Sequence, residues 1–237
     1  MINEIHGLFT INHLIIILLS IIIQSVILIL SLKKNKEQII KTINYLGIFI
    51  LIYEIIKIIY KIIDKRSINN YFPLYYCSLI LYFIILIYPK NNRLNKIGYL
   101  LISYSGLIPS FAYIIYPITS INFHPLISFD TIHSFIYHNI MLYISLIIII
   151  KKIHISNKND YKIYLPVTIS ICIIVIIINS IFNTTFMYIN KAPLDNPFLL
   201  SIQNIIGPFY PLFITISLTF GTYILTYIFS SLIQKER

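Results

Sequence analysis

Seven long apolar runs, separated by short polar segments, divide the chain at about 9–32, 43–63, 71–88, 97–118, 131–150, 163–182 and 205–233. A bilayer hydrocarbon core of about 30 Å needs roughly 20 apolar residues in a helix. Each run therefore reads as a membrane-spanning helix. The third is the shortest and the last the longest, with Pro208 and Pro211 near its start. The pattern predicts an all-α fold, a polytopic helical bundle of about seven transmembrane helices forming one domain over residues 1–237. The sequence shows no internal repeat and no low-complexity linker. The first run has no basic residue before it and no small-residue cleavage site, so it reads as a retained span rather than a signal peptide.

Composition agrees. Hydrophobic residues make up 58% of the 237 and charged residues only 11%, with a mean hydropathy of +0.84, too little charge to cover a soluble surface. The net charge of +10 could suggest nucleic acid. The basic residues, however, fall in short clusters between apolar runs, a pattern that topology explains. Lys33, Lys34, Lys36 and Lys41 occupy the first loop; Lys90, Arg93 and Lys96 the third; Lys151, Lys152, Lys158 and Lys162 the fifth; Lys235 and Arg237 the C-terminus. With seven spans, those 13 share one side, against Lys65, Arg66 and Lys191 on the other. The asymmetry predicts N-out, C-in, a multi-pass protein of the cell membrane.

Charged groups in a bilayer cost about 2.5–3.5 kcal/mol each at the helix centre on insertion scales, so their positions carry information. Glu54 is mid-span, with Lys57 at i+3 and Lys61 at i+7. Cys77 and Ser78 lie near the outer end of the third run. His133, His138 and Asn139 occupy the outer half of the fifth. Asn179 and Asn183 end the sixth, Gln203 and Asn204 begin the seventh, and His13 begins the first. Nearly all point to the outer half, which predicts a polar cavity opening outward and an inner half close to featureless. Each residue also has a plainer role. Lys61 can snorkel to the interface, Lys57 can simply neutralise Glu54, and Asn179 and Asn183 can bridge helices by hydrogen bonds.

The two cysteines, Cys77 and Cys172, lie in different apolar runs without CxxC or zinc-type spacing. No disulfide, metal site or cofactor is expected. The sequence contains no Walker A, HExxH or GxSxG motif, which argues against ATP chemistry, zinc proteolysis and serine-elbow hydrolysis.

Five blocks in order resemble a known family. Phe72-Pro73-Leu74-Tyr75-Tyr76-Cys77-Ser78-Leu79 is similar to the "LPLHLCS" signature of the YwaF-like bacterial integral membrane proteins, relatives of the eukaryotic transmembrane protein 164 group. Asn122-Phe123-His124-Pro125-Leu126 and His133-Ser134-Phe135-Ile136-Tyr137-His138 resemble its loop and histidine-bearing helix. Asn183-Thr184-Thr185-Phe186-Met187-Tyr188 resembles its "GTNYM" turn, and Gly207-Pro208-Phe209-Tyr210-Pro211 its "LGPWP" lead-in to the last helix. Glu54 matches an acid in the second helix. Asn183 and Thr185 replace the usual Gly and Asn, and Tyr75-Tyr76 replaces His-Leu. The eukaryotic branch is regarded as phospholipid acyltransferases with a cysteine nucleophile, which the resemblance implies for Cys77.

Two functional readings follow. In the first, Cys77 is the nucleophile and His138, or else His133, its base. A thiol in apolar surroundings needs such a partner. Asn139, Asn179 or Asn183 could donate to an oxyanion, with membrane lipids as donor and acceptor. In the second, the same cavity, which also takes in Lys57 and Gln203, is a substrate or proton site, with Glu54 titrating and His133 or His138 relaying; against it, no repeated halves are visible. A non-catalytic membrane component would leave no motif.

Overall fold

The computed structural model describes residues 8–65, 72–121, 124–194 and 196–235. Among these the regular structure is entirely helical, as the apolar pattern predicts. Arg66, Arg237, residues 122–123 of the loop block and residue 71, where the third span was expected to begin, lie outside the described residues.

Helix α1 spans Ile11–Leu32. Its polar residues His13, Ser20, Gln24 and Ser31 form a buried stripe while most of its apolar side chains face outward, the inversion expected where the solvent is lipid. Helix α2, Lys36–Ile63, begins seven residues before its apolar run, because Asn35 and Gln38 close a capping box around its first turn. Helix α4 (Asn92–Ile115) is capped by the Asn91 side chain, α6 (Phe129–Ile150) by that of Ser128. Helix α7, Tyr161–Phe182, ends on Asn183 in the left-handed conformation, φ 50°. Asn tolerates that region better than other non-glycine residues, which explains why it can replace Gly at this turn.

Among the described residues, five segments are long and apolar enough to cross a membrane: α1, α4, α6, Lys158–Phe182 and the composite Pro197–Lys235. Two expected spans depart from regular helices. The third contains helix only over Tyr76–Ile87: a 3-10 turn at Tyr76–Ser78, α3 at Leu79–Ile84 and a second 3-10 turn at Ile85–Ile87. Twelve residues rise only about 18 Å, and Phe72–Tyr75 before them is non-helical. The seventh is broken into α8 (Pro197–Ile206), α9 (Tyr210–Ile216) and α10 (Thr222–Lys235). Gly207, at φ +53°, breaks it first, and a π-turn at Ser217–Gly221 separates the last two pieces. Irregular backbone at membrane depth persists where protein or a cavity surrounds it; Tyr75 before the third helix and Leu218 in the π-turn both line the cavity described below.

Helices α4 and α6 form the centre. Gly106 lets them approach: a Cβ there would collide with the Ser145 side chain, whose hydroxyl donates to the Ile102 carbonyl at 3.2 Å. Between them α4 continues into α5, Ile118–Ile121.

Candidate functional site

A cavity of about 520 Å³ opens between α2, the start of the Tyr76–Ile87 helix, α4 and α6. Its walls include Cys77, His133, His138 and Lys57 from the expected set, and Tyr113, Ser120, His124, Asp130, Tyr137 and Lys61 besides. The turn residues Met187 and Tyr188 and the π-turn residue Leu218 complete it. Met187 and Tyr188 both hold φ 54°, a conformation that costs energy in non-glycine residues. The strained turn therefore abuts the cavity.

Cys77 is half-buried in the first turn of its helix. The Tyr137 hydroxyl donates to the Cys77 carbonyl at 3.4 Å, tying the residue before His138 to the cysteine's own peptide. His138 Nδ1 sits 2.7 Å from the Ser134 carbonyl. A carbonyl only accepts, so Nδ1 carries the hydrogen and Nε2 the lone pair. That Nε2 is buried and makes no hydrogen bond among the described residues. Tyr113 of α4 covers the ring face.

His133 faces the other way. Its Nε2 lies 3.2 Å from the Tyr53 carbonyl of α2 and 3.7 Å from Glu54 Oε2, and its ring stacks on Tyr53 at 4.2 Å. Glu54 is buried and ion-paired with Lys57. One turn further along α2, Lys61 reaches Asp130 Oδ1 at 3.4 Å, and His124 Nε2 stands 3.8 Å from Asp130 Oδ2. The Lys61 side chain is 13% exposed, so it is held against α6 rather than extended to the interface. The site thus has a charged end at Lys57, Lys61 and Asp130, and an aromatic end around Cys77 and His138.

The structure puts the remaining expected residues elsewhere. Glu54 contacts the cavity only through Lys57 and His133. Asn139 bridges α6 to α1, donating to Ser20 Oγ at 3.2 Å and receiving Gln24 Nε2 at 3.2 Å. Asn179 organises the turn after α7: its Oδ1 accepts from Thr184 Oγ1 at 2.8 Å and Phe186 N at 2.9 Å, and its Nδ2 donates to the Phe186 carbonyl at 2.9 Å. Asn183 is the left-handed helix end. The Gln203 side-chain oxygen accepts from the Ala192 N–H at 2.7 Å. None of these four lines the cavity. Each satisfies backbone or helix-bridging groups that lipid cannot solvate.

The inner half is not featureless. At the far end of α6, Asp160 Oδ2 accepts from His154 Nε2 at 2.8 Å, the Tyr104 hydroxyl at 3.0 Å and the Asn157 N–H at 2.9 Å. Nearer the cavity, the hydroxyls of Tyr76, Tyr164 and Thr222 form a triangle of 2.6, 3.0 and 2.8 Å. Tyrosine hydroxyls carry most of these contacts. Cys172 is fully buried in the core, away from the cavity. Among the described residues no group of three or more His, Cys, Asp or Glu could hold a metal ion.

No curated protein and no solved structure matches the chain. A family model does, over residues 8–229, which takes in Cys77, both histidines and every helix that walls the cavity. The chain belongs to the TMEM164 family of integral membrane proteins.

Proposed function

We propose that this chain is a thiol-dependent lipid acyltransferase of the cell membrane, with Cys77 as nucleophile and His138 as general base. The observation that supports it is His138 Nε2: a buried lone pair without a hydrogen-bond partner, on the wall of the cavity that Cys77 shares. Leaving an acceptor buried and unsatisfied costs about 1–3 kcal/mol, and a lone pair in a cavity that a thiol also lines is what a Cys–His pair needs. In the first half-reaction Nε2 takes the thiol proton and the thiolate attacks an acyl-ester carbonyl of a membrane lipid. The ester C–O bond breaks and the lysolipid alkoxide leaves with that proton from His138. The product is an acyl thioester on Cys77. The cavity opens toward the outer leaflet if the positive-inside asymmetry sets the orientation, and the lipid then enters from that side.

The test is acylation of the purified protein with a phosphatidylcholine bearing a fluorescent acyl chain. Wild type and Cys172→Ser should acquire a hydroxylamine-sensitive label; Cys77→Ser and His138→Gln should not. Absence of label from wild type, together with pH-dependent solute uptake into proteoliposomes, would replace this reading with the carrier, to which buried Glu54 and His133 would be central.

A further inference from the structure

The two histidines sit five residues apart on α6, so they project about 140° apart around the helix and differ in depth by about 7.5 Å. Their surroundings differ accordingly. His138 packs on Tyr113 of α4 at the aromatic end. His133 packs on Tyr53 of α2 beside Glu54 and Lys57, at the charged end. Each ring has one nitrogen held to a main-chain carbonyl, Nδ1 in His138 and Nε2 in His133. The hydrogen-bearing nitrogen is therefore opposite in the two rings. His138 offers Nε2 as a base, His133 offers Nδ1, and both rings wall the same cavity.

We propose that the histidines divide the two half-reactions: His138 serves acylation of Cys77, and His133 is the catalytic base that activates the acceptor hydroxyl for deacylation. This rests on the acyltransferase reading. A lipid acceptor brings a charged head group, and the charges that can meet it, Lys57, Lys61 and Asp130, cluster on the His133 side. The acceptor O–H then lies nearer His133 than His138. His133 Nδ1 removes the hydroxyl proton as the oxygen attacks the thioester carbonyl. The Glu54 carboxylate, 3.7 Å from Nε2, stabilises the imidazolium that forms. Collapse of the tetrahedral adduct breaks the C–S bond and forms the new ester. The departing thiolate takes the proton back from His133, which restores a neutral ring and a free thiol.

The experiment separates the half-reactions. Purified protein is charged with the fluorescent-acyl phosphatidylcholine, excess donor is removed, and the acyl-Cys77 species is chased with lysophosphatidylcholine. His133→Gln keeps an N–H able to reach the Tyr53 carbonyl but loses the base. It should charge at close to the wild-type rate and discharge on the order of 10²-fold more slowly, the usual contribution of a general base. Acylated protein should therefore accumulate. His138→Gln should not charge. If His133→Gln lowers the melting temperature, His133→Ala with and without added imidazole provides the second measurement, and imidazole should restore the chase. Discharge of His133→Gln at the wild-type rate, or slow charging with normal discharge, would overturn the division of labour while leaving Cys77 chemistry intact. Failure of wild type to charge would instead defeat the underlying acyltransferase reading, and this proposal with it.

Discussion

Tyr113 lies flat on His138, with ring centroids 3.7 Å apart and planes 8° from parallel. The Ser134 carbonyl fixes one edge of the imidazole and Tyr113 fixes its face, so the free nitrogen has a set direction. Tyr113 is itself held by its hydroxyl, 2.5 Å from Ser120 Oγ of α5.

The stack makes Tyr113 a positioning residue for the base. Tyr113→Leu removes the flat surface and lets the ring rotate, and small misplacements of a catalytic group cost on the order of 10²-fold. Charging of Cys77 should fall by roughly that factor, and the loss of the hydroxyl's bond to Ser120 should lower the melting temperature as well. Tyr113→Phe keeps the stack and loses one hydrogen bond, about 1 kcal/mol of stability; its charging rate should stay near wild type. Equal charging rates for the Leu variant and wild type would show that the stack is packing alone.

Glu54 and Lys57 test the charged end. The pair is largely buried, with side-chain exposures of 5% and 20%. Glu54→Gln leaves the cation without its partner, and breaking a buried pair from one side costs roughly 3 kcal/mol. The double variant Glu54→Gln, Lys57→Gln removes both charges and should recover part of the loss. Thermal unfolding in one detergent measures both variants. A single variant as stable as wild type would rule out a structural role for the pair.

The spans were legible because a lipid solvent forces long apolar helices; of the seven expected, α2 and the third run are not among the five segments found long and apolar enough. Nothing in the apolar content of residues 71–88 distinguishes a regular span from the extended approach to Tyr76. Gly207 and the two nearby prolines, by contrast, were a visible warning of the break before α9. Cys77, Lys57, His133 and His138 were expected to share a polar cavity, and all four wall the one described. Depth alone does not separate a polar group that faces a cavity from one that saturates a turn. Asn139, Asn179, Asn183 and Gln203 share the expected depth and spend their bonds on Ser20, Phe186, a left-handed helix end and Ala192. Asp130 was missed although the signal was present: an acid one residue before an apolar run, three residues from His133. Tyr113 carried no signal, since an aromatic in a span is ordinarily core or belt.

Asn179 gives a counter-test to the site. Its amide uses both ends on the Thr184–Phe186 turn and also donates to Asn190 Oδ1 at 3.1 Å. Asn179→Ala strands the buried Phe186 N–H and the Thr184 hydroxyl, at about 1–3 kcal/mol for each group left unsatisfied. The melting temperature should drop clearly. The Cys77 adduct, once formed, should discharge normally, because Asn179 does not line the cavity. Normal stability with lost charging would instead return Asn179 to the reactive machinery.

Orientation is the remaining test, because it decides which leaflet supplies the lipid. With seven spans, 13 of the basic residues outside them fall on one side and three on the other, and such a bias sets topology when the loops are short. The structure supplies a reporter for each end of α6. Ile127, 90% exposed, precedes the Ser128 cap, so a cysteine there disturbs no capping bond. Asn159 is exposed in the turn before α7, at the Lys151–Lys162 end. In a Cys77→Ser, Cys172→Ser background, Ile127→Cys should react with a membrane-impermeant maleimide in intact cells. Asn159→Cys should react only after permeabilisation. The opposite pattern would place the cavity on the inner leaflet, where the same Cys77 and His138 would meet a different pool of lipids. Labelling of both in intact cells would mean that the chain does not hold the single orientation its lysines and arginines specify.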